Sequence, residues 1–73
     1  MASFKQAFGT AVRHRRHRLG LSQEAFAEKA EIHRTYVSKV EAGKVAVGLE
    51  VAHRVAGALG TKLSKLVGEA EQS

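Results

Sequence analysis

Glycines at positions 20, 43 and 60 divide this chain into short stretches, and within each stretch the apolar residues return every three or four positions. That spacing makes one apolar face on a helix, and a glycine just past it stops the helix by taking a left-handed backbone at no steric cost. Five short helices are expected. The first covers residues 4–19, with Phe8, Ala11, Val12 and Leu19 on its inner stripe. Arg15 shares that stripe, its stem packing and its guanidinium escaping at the edge. The second covers 23–30, capped by Ser22, with Glu24 at the positive end of its dipole and Phe26, Ala27 and Ala30 facing inward. A turn at 31–33 carries Ile32 as a plug between helices. The third helix covers 34–42, with Val37 and Val40 inward and Arg34, Thr35, Ser38 and Lys39 outward. The fourth covers 49–59, on Leu49, Ala52, Val55, Ala56 and Leu59, and the last 62–68, on Leu63, Leu66 and Val67. The reading is one all-α domain over residues 1–73, ordered over about 4–68, with 69–73 as a frayed tail.

Composition narrows the function. No cysteine is present, so disulfides and thiolate metal sites are excluded. His14 and His17 lie three apart on the first helix, but no aspartate exists in the chain and a closed metal site needs more ligands. No metal and no cofactor is expected. No apolar run approaches the roughly 20 residues that cross a bilayer, and the first six residues lead into a basic segment, not a secretory signal. A cytoplasmic, non-membrane protein is therefore expected. No glycine-rich phosphate loop and no nucleophile beside a base can be found, which argues against an enzyme. The net charge of +5 is unevenly spread: Lys5, Arg13, Arg15, Arg16 and Arg18 stand before residue 20 with no acid among them, and the rest of the chain balances. Such an excess suits either a solvated helix face or a polyanionic partner.

The stretch from Leu21 to Lys44 places two helices of about eight residues around a turn of three or four, the helix-turn-helix arrangement. Its second helix is held from behind by valines and shows small or basic side chains outward, a shape that fits the major groove of B-form DNA. Here the chain resembles the Cro/repressor, or XRE-type, helix-turn-helix family. The matching residues are Phe8-Gly9, Val12-Arg13, Arg16, Gly20-Leu21-Ser22-Gln23-Glu24, Phe26-Ala27, Tyr36-Val37-Ser38-Lys39-Val40-Glu41, Gly43 and Ala58-Leu59-Gly60. Residues 32–38 are also similar to the small controller proteins of restriction–modification systems.

The resemblance implies a sequence-specific transcriptional regulator that binds double-stranded DNA. Arg34, Thr35, Ser38 and Lys39 would face bases. Arg13, Arg16, Gln23, Tyr36 and Lys44 would meet phosphates. Arg16 would also pair with Glu41, tying the first helix to the third. One such helix contacts few base pairs, so a homodimer on two half-sites about 34–36 Å apart is expected. Leu63, Leu66 and Val67 either close the core or lend a patch to that dimer. RNA polymerase is a further candidate partner. Departures from the family pattern bear on these expectations. Glu31 stands where glycine is frequent, so it is either left-handed and strained or the second helix runs on. Ala42, Val45 and Ala46 replace polar anchors. The apolar segment 45–47 motivates a second reading, a protein-interaction or targeting module that keeps the fold but binds DNA weakly.

Overall fold

The computed structural model describes residues 3–72 as five helices: α1 (Phe4–Arg18), α2 (Gln23–Ala30), α3 (Arg34–Glu41), α4 (Leu49–Ala58) and α5 (Leu63–Glu71). Helix starts follow local chemistry. Ser3 and Gln6 form a reciprocal capping box on α1, with the Ser3 amide donating to Gln6 Oε1 at 2.9 Å. The Ser22 hydroxyl accepts from the Ala25 amide at 3.0 Å. For α3 the cap is a histidine: Nδ1 of His33 accepts from the Thr35 amide at 3.0 Å, so that nitrogen carries no proton.

The ends of α1 to α4 share one device. Amides of Leu21, Ile32, Lys44 and Thr61 reach back to carbonyls of Arg16, Ala27, Lys39 and Ala56 at 3.0–3.2 Å. Each closes a loop around a left-handed residue, the Schellman pattern. Glycine fills that place at positions 20, 43 and 60, but after α2 it falls to Glu31, at φ 59°. Of the two alternatives for Glu31, the strained left-handed one is the one adopted.

Phe26, Leu66, Val12, Val37 and Val55 are fully shut from water and form the centre. α1 lies against α5 and α3, α2 against α3 and α4, and α4 against α5. Gly9 is what lets α1 and α3 meet. A Cβ there would stand 2.1 Å from the Val40 carbonyl oxygen. Ile32 packs against the core from the turn, as do Val45 and Val47 from the 44–48 loop.

Three expectations need correction. Residues 69–71 are not a frayed tail: α5 runs to Glu71, Ala70 is buried, and Glu69 pairs with Arg15 (Ser73 lies outside the described residues). Leu19 and Leu49 are not core residues. They are 50% and 81% exposed, because each stands at a helix end where the apolar stripe has turned away from the neighbouring helices. Leu66 cannot serve a dimer, since it is fully buried within its own chain, whereas Leu63 and Val67 are half-buried.

Candidate nucleic-acid interface

α3 sits with Val37 and Val40 in the core and Arg34, Thr35, Ser38 and Lys39 exposed on its outer side. That division follows from 3.6 residues per turn acting on the sequence RTYVSKVE. The outer surface carries no bulky side chain except at its cationic ends, and none of the chain's other helices covers it. Tyr36 lies at the border, half-buried and packed against the core. Lys44, just past Gly43, is exposed.

α3 is bolted to α1 by a nearly buried ion pair. Arg16 Nε donates to Glu41 Oε2 at 2.6 Å and Arg16 Nη2 to Glu41 Oε1 at 2.9 Å. The remaining Arg16 nitrogen, Nη1, donates to the Leu21 carbonyl at 2.7 Å, and Nη2 also meets His17 Nε2 at 3.2 Å. His17 Nε2 must accept in that contact, since a guanidinium only donates. The Glu41 hydrogen bond, opposed by desolvation, holds the Arg16 guanidinium above its ordinary range. With side-chain exposures of 9% and 4%, the pair is desolvated, and removing one partner of such a pair costs about 3–5 kcal/mol. Arg16 is therefore corrected as a phosphate ligand: its three nitrogens all donate inside the protein and its side chain is only 9% exposed.

Gln23 joins the same knot. Its Nε2 donates to Glu41 Oε1 at 3.1 Å, so its amide braces the ion pair from the start of α2. The pair lines a polar cleft together with Arg13, Gln23, Ser38 and Ala42. The structure thus brings Arg13 and Gln23 alongside α3, with Lys44 at its far end. Arg18 falls elsewhere. It lines a separate cleft with His14, Glu69 and Gln72, on the α5 side of α1. Arg15 also belongs to that side, where its Nε donates to Glu69 Oε1 at 3.0 Å and its Nη2 to Glu69 Oε2. The Arg15 hydrogen bond holds the Glu69 carboxyl below its usual range. Two of the five early cations are thus neutralised internally, and the basic surface beside α3 rests on Arg13, Lys39, Lys44 and Arg34.

Arg34 has a partner that sequence reasoning missed. Its Nη1 donates to Glu24 Oε2 at 3.0 Å, across the helix-turn-helix corner. Both side chains are well exposed, 63% and 74%, and an ion pair in that setting contributes about 0.2–1 kcal/mol. In the sequence Glu24 signals only a helix start, and nothing in the spacing of ten points it at Arg34 until the two helices are crossed. Among the described residues no three His, Cys, Asp or Glu side chains gather as metal ligands, and no helix is long and apolar enough to cross a membrane.

Known proteins share this arrangement. The helix-turn-helix family model matches residues 12–66. The control protein C.MunI from Mycoplasma sp is 36% identical over 73 residues, covering 99% of both chains. The restriction–modification controller protein C.AhdI from Aeromonas hydrophila superposes with a TM-score of 0.83 at 35% identity, over 85% of this chain and 94% of that one. The clp gene regulator ClgR from Corynebacterium glutamicum gives 0.92 at 28% identity, over 97% of this chain and 76% of its own. A groove-sized helix held rigid behind and cationic in front, within a match spanning most of the chain, makes this protein a member of the helix-turn-helix family of the Cro/repressor (XRE) type, a DNA-binding transcriptional regulator.

Proposed function

We propose that this regulator reads a two-half-site operator as a homodimer, with α3 in the major groove, and that it serves as a restriction–modification controller working in the cytoplasm. The observation that carries the reading is the exposed α3 face, uncovered by the chain's own helices and anchored from behind by Arg16 and Glu41. Arg34 and Lys39 offer hydrogen-bond donors to guanine, Thr35 offers a methyl to thymine, and Ser38 suits either. Arg13, Gln23, Tyr36 and Lys44 surround this face as phosphate contacts, Gln23 by whatever donor capacity its bond to Glu41 leaves. The controller role rests on the likeness to C.MunI and C.AhdI.

A second copy is the partner the operator geometry asks for. Half-buried Leu63 and Val67 line an apolar groove with exposed Phe4 and Leu49. This groove replaces the patch that included Leu66. The rival reading, an interaction module with weak DNA binding, loses its main motive. Val45 is packed half-buried against the chain's own core, and Val47, also half-buried there, lines with Ala46 the groove already given to the second copy.

Selection of duplexes from a randomised pool, followed by anisotropy titration, tests the proposal. Enriched sites should contain two related half-sites, and affinity should fall steeply with salt as phosphate contacts release counterions. Arg34→Ala should relax base preference at one position of each half-site, while Lys44→Ala should weaken all sequences alike. Recovery of no common sequence, or binding indifferent to salt, would overturn it.

A further inference from the structure

We propose that Glu24 is a specificity-determining residue of the DNA interface, acting by holding the Arg34 guanidinium in a base-reading position. The inference rests on the reading of Arg34 as a base contact and adds to it a residue on the other helix of the motif.

Electrostatics at the start of α3 motivates the assignment. Arg34 is the first residue of α3, and the first turn of that helix contains no acid. The positive end of a helix dipole repels a guanidinium placed there. Left alone, so long a side chain would extend away from the helix end toward solvent or toward the nearest phosphate. Glu24 supplies the missing counter-charge from the first turn of α2, where the dipole favours a carboxylate. The 3.0 Å bond is single, from Nη1 to Oε2. Nε and Nη2 of Arg34 make no hydrogen bond within the described residues, so one complete edge of the guanidinium remains for a partner with two acceptors. Guanine O6 and N7 form such a partner, whereas a phosphate is reached as well by an untethered arginine.

Glu24 also discriminates by its own charge. It is exposed beside a surface that must approach two phosphate strands, so its carboxylate opposes backbone binding at every sequence. The two effects have opposite signs. Glu24 lowers affinity for DNA in general and raises the preference for the correct base pair. Loss of general affinity in return for discrimination is how a repulsive element sharpens recognition.

The experiment measures both quantities in one set of proteins. Wild type, Glu24→Gln, Arg34→Ala and the double variant are titrated against the best duplex from the randomised pool. The same proteins are titrated against that duplex substituted at each position in turn and against an unrelated duplex. Glu24→Gln keeps the side-chain shape, and because Glu24 is exposed the loss of its ion pair and dipole interaction should lower the unfolding midpoint only modestly and leave the variant folded at the titration temperature. The expected result is tighter binding to the unrelated duplex. Discrimination at the one base pair whose preference Arg34→Ala abolishes should also fall, by about threefold or more, the lower part of the range for coupled neighbours. The double variant should discriminate no worse than Arg34→Ala alone. If Arg34→Ala relaxes a base preference and Glu24→Gln leaves it intact, the role of Glu24 is overturned while base reading by Arg34 stands. If Arg34→Ala changes no base preference, both assignments fall.

Discussion

Replacing Glu41 by alanine should be among the most damaging single changes available to this domain. The Arg16–Glu41 pair has two bonds of 2.6 and 2.9 Å and side chains only 9% and 4% exposed, so removing the carboxylate strands a guanidinium in a nearly dry site. Breaking one side of such a pair costs about 3–5 kcal/mol. A folded chain of 73 residues has about 4–11 kcal/mol in total. The loss is therefore about a quarter of the stability at the least, and at the other extreme all of it. For a domain of this size each kcal/mol moves the midpoint by about 4–8 °C, so Tm should drop by at least about 12 °C. Thermal and urea unfolding followed by circular dichroism would read it. A second variant separates the buried charge from the loss of packing. Arg16→Met with Glu41→Leu removes both charges and keeps apolar volume, and such replacements are often neutral. The double variant should recover most of what Glu41→Ala loses. A cost below about 1 kcal/mol for Glu41→Ala, typical of a solvated pair, would refute the reasoning, as would a double variant no more stable than the single.

Three further outcomes follow from the same packing. Gly9→Ala should destabilise by about 1–3 kcal/mol in chemical denaturation, because overpacking against the Val40 carbonyl outweighs the roughly 0.5–1 kcal/mol by which alanine is the better helix former; a more stable variant would show that α1 and α3 are not in backbone contact. Glu31→Gly should stabilise by up to about 1 kcal/mol, since it removes the strain of a left-handed glutamate and gives back part in chain entropy; loss of stability would contradict the left-handed turn. The Glu69 carboxyl lies below its usual range in the folded state, so its contribution is complete above the ordinary carboxylate pKa of about 4.3 and fades as pH falls through the lowered folded value. The stability gap between wild type and Glu69→Gln should accordingly stay level from neutral pH to about pH 5.5 and close below that; a gap that persists unchanged to pH 3 would remove the Arg15–Glu69 pair from the account.

Much of the fold is legible in the sequence because helix punctuation is local. Ser22, Gly20, Gly43 and Gly60 act on the backbone beside them, and the start of every helix was placed to within a residue on such signals and on apolar spacing. Depth was less legible. Leu19 and Leu49 fit a helical stripe, yet a stripe does not say where the neighbouring helix ends, and both face water. The last turn of α5 escaped notice because the sequence GEAEQS offers one apolar residue, Ala70, whose burial depends on α1 being alongside. Pairings across helices were the least accessible. The Arg16–Glu41 pair was expected from family resemblance alone, and neither Arg15–Glu69 nor Glu24–Arg34 has any signature in spacing. For the interface, the outward residues of α3 followed from periodicity. The displacement of Arg16 from surface to core did not, because an arginine on an amphipathic helix reads the same whether its head finds water or a buried carboxylate.

The central claim is that DNA meets the outer face of α3. Titrating uniformly 15N-labelled protein with the selected duplex, and following backbone amide shifts residue by residue, tests that claim most directly. The largest changes should fall at residues 34–39, at Gln23 and Arg13, and at Lys44, with amides around His14, Arg18 and Gln72 nearly still. Changes centred on the α1–α5 cleft, with α3 unmoved, would contradict it.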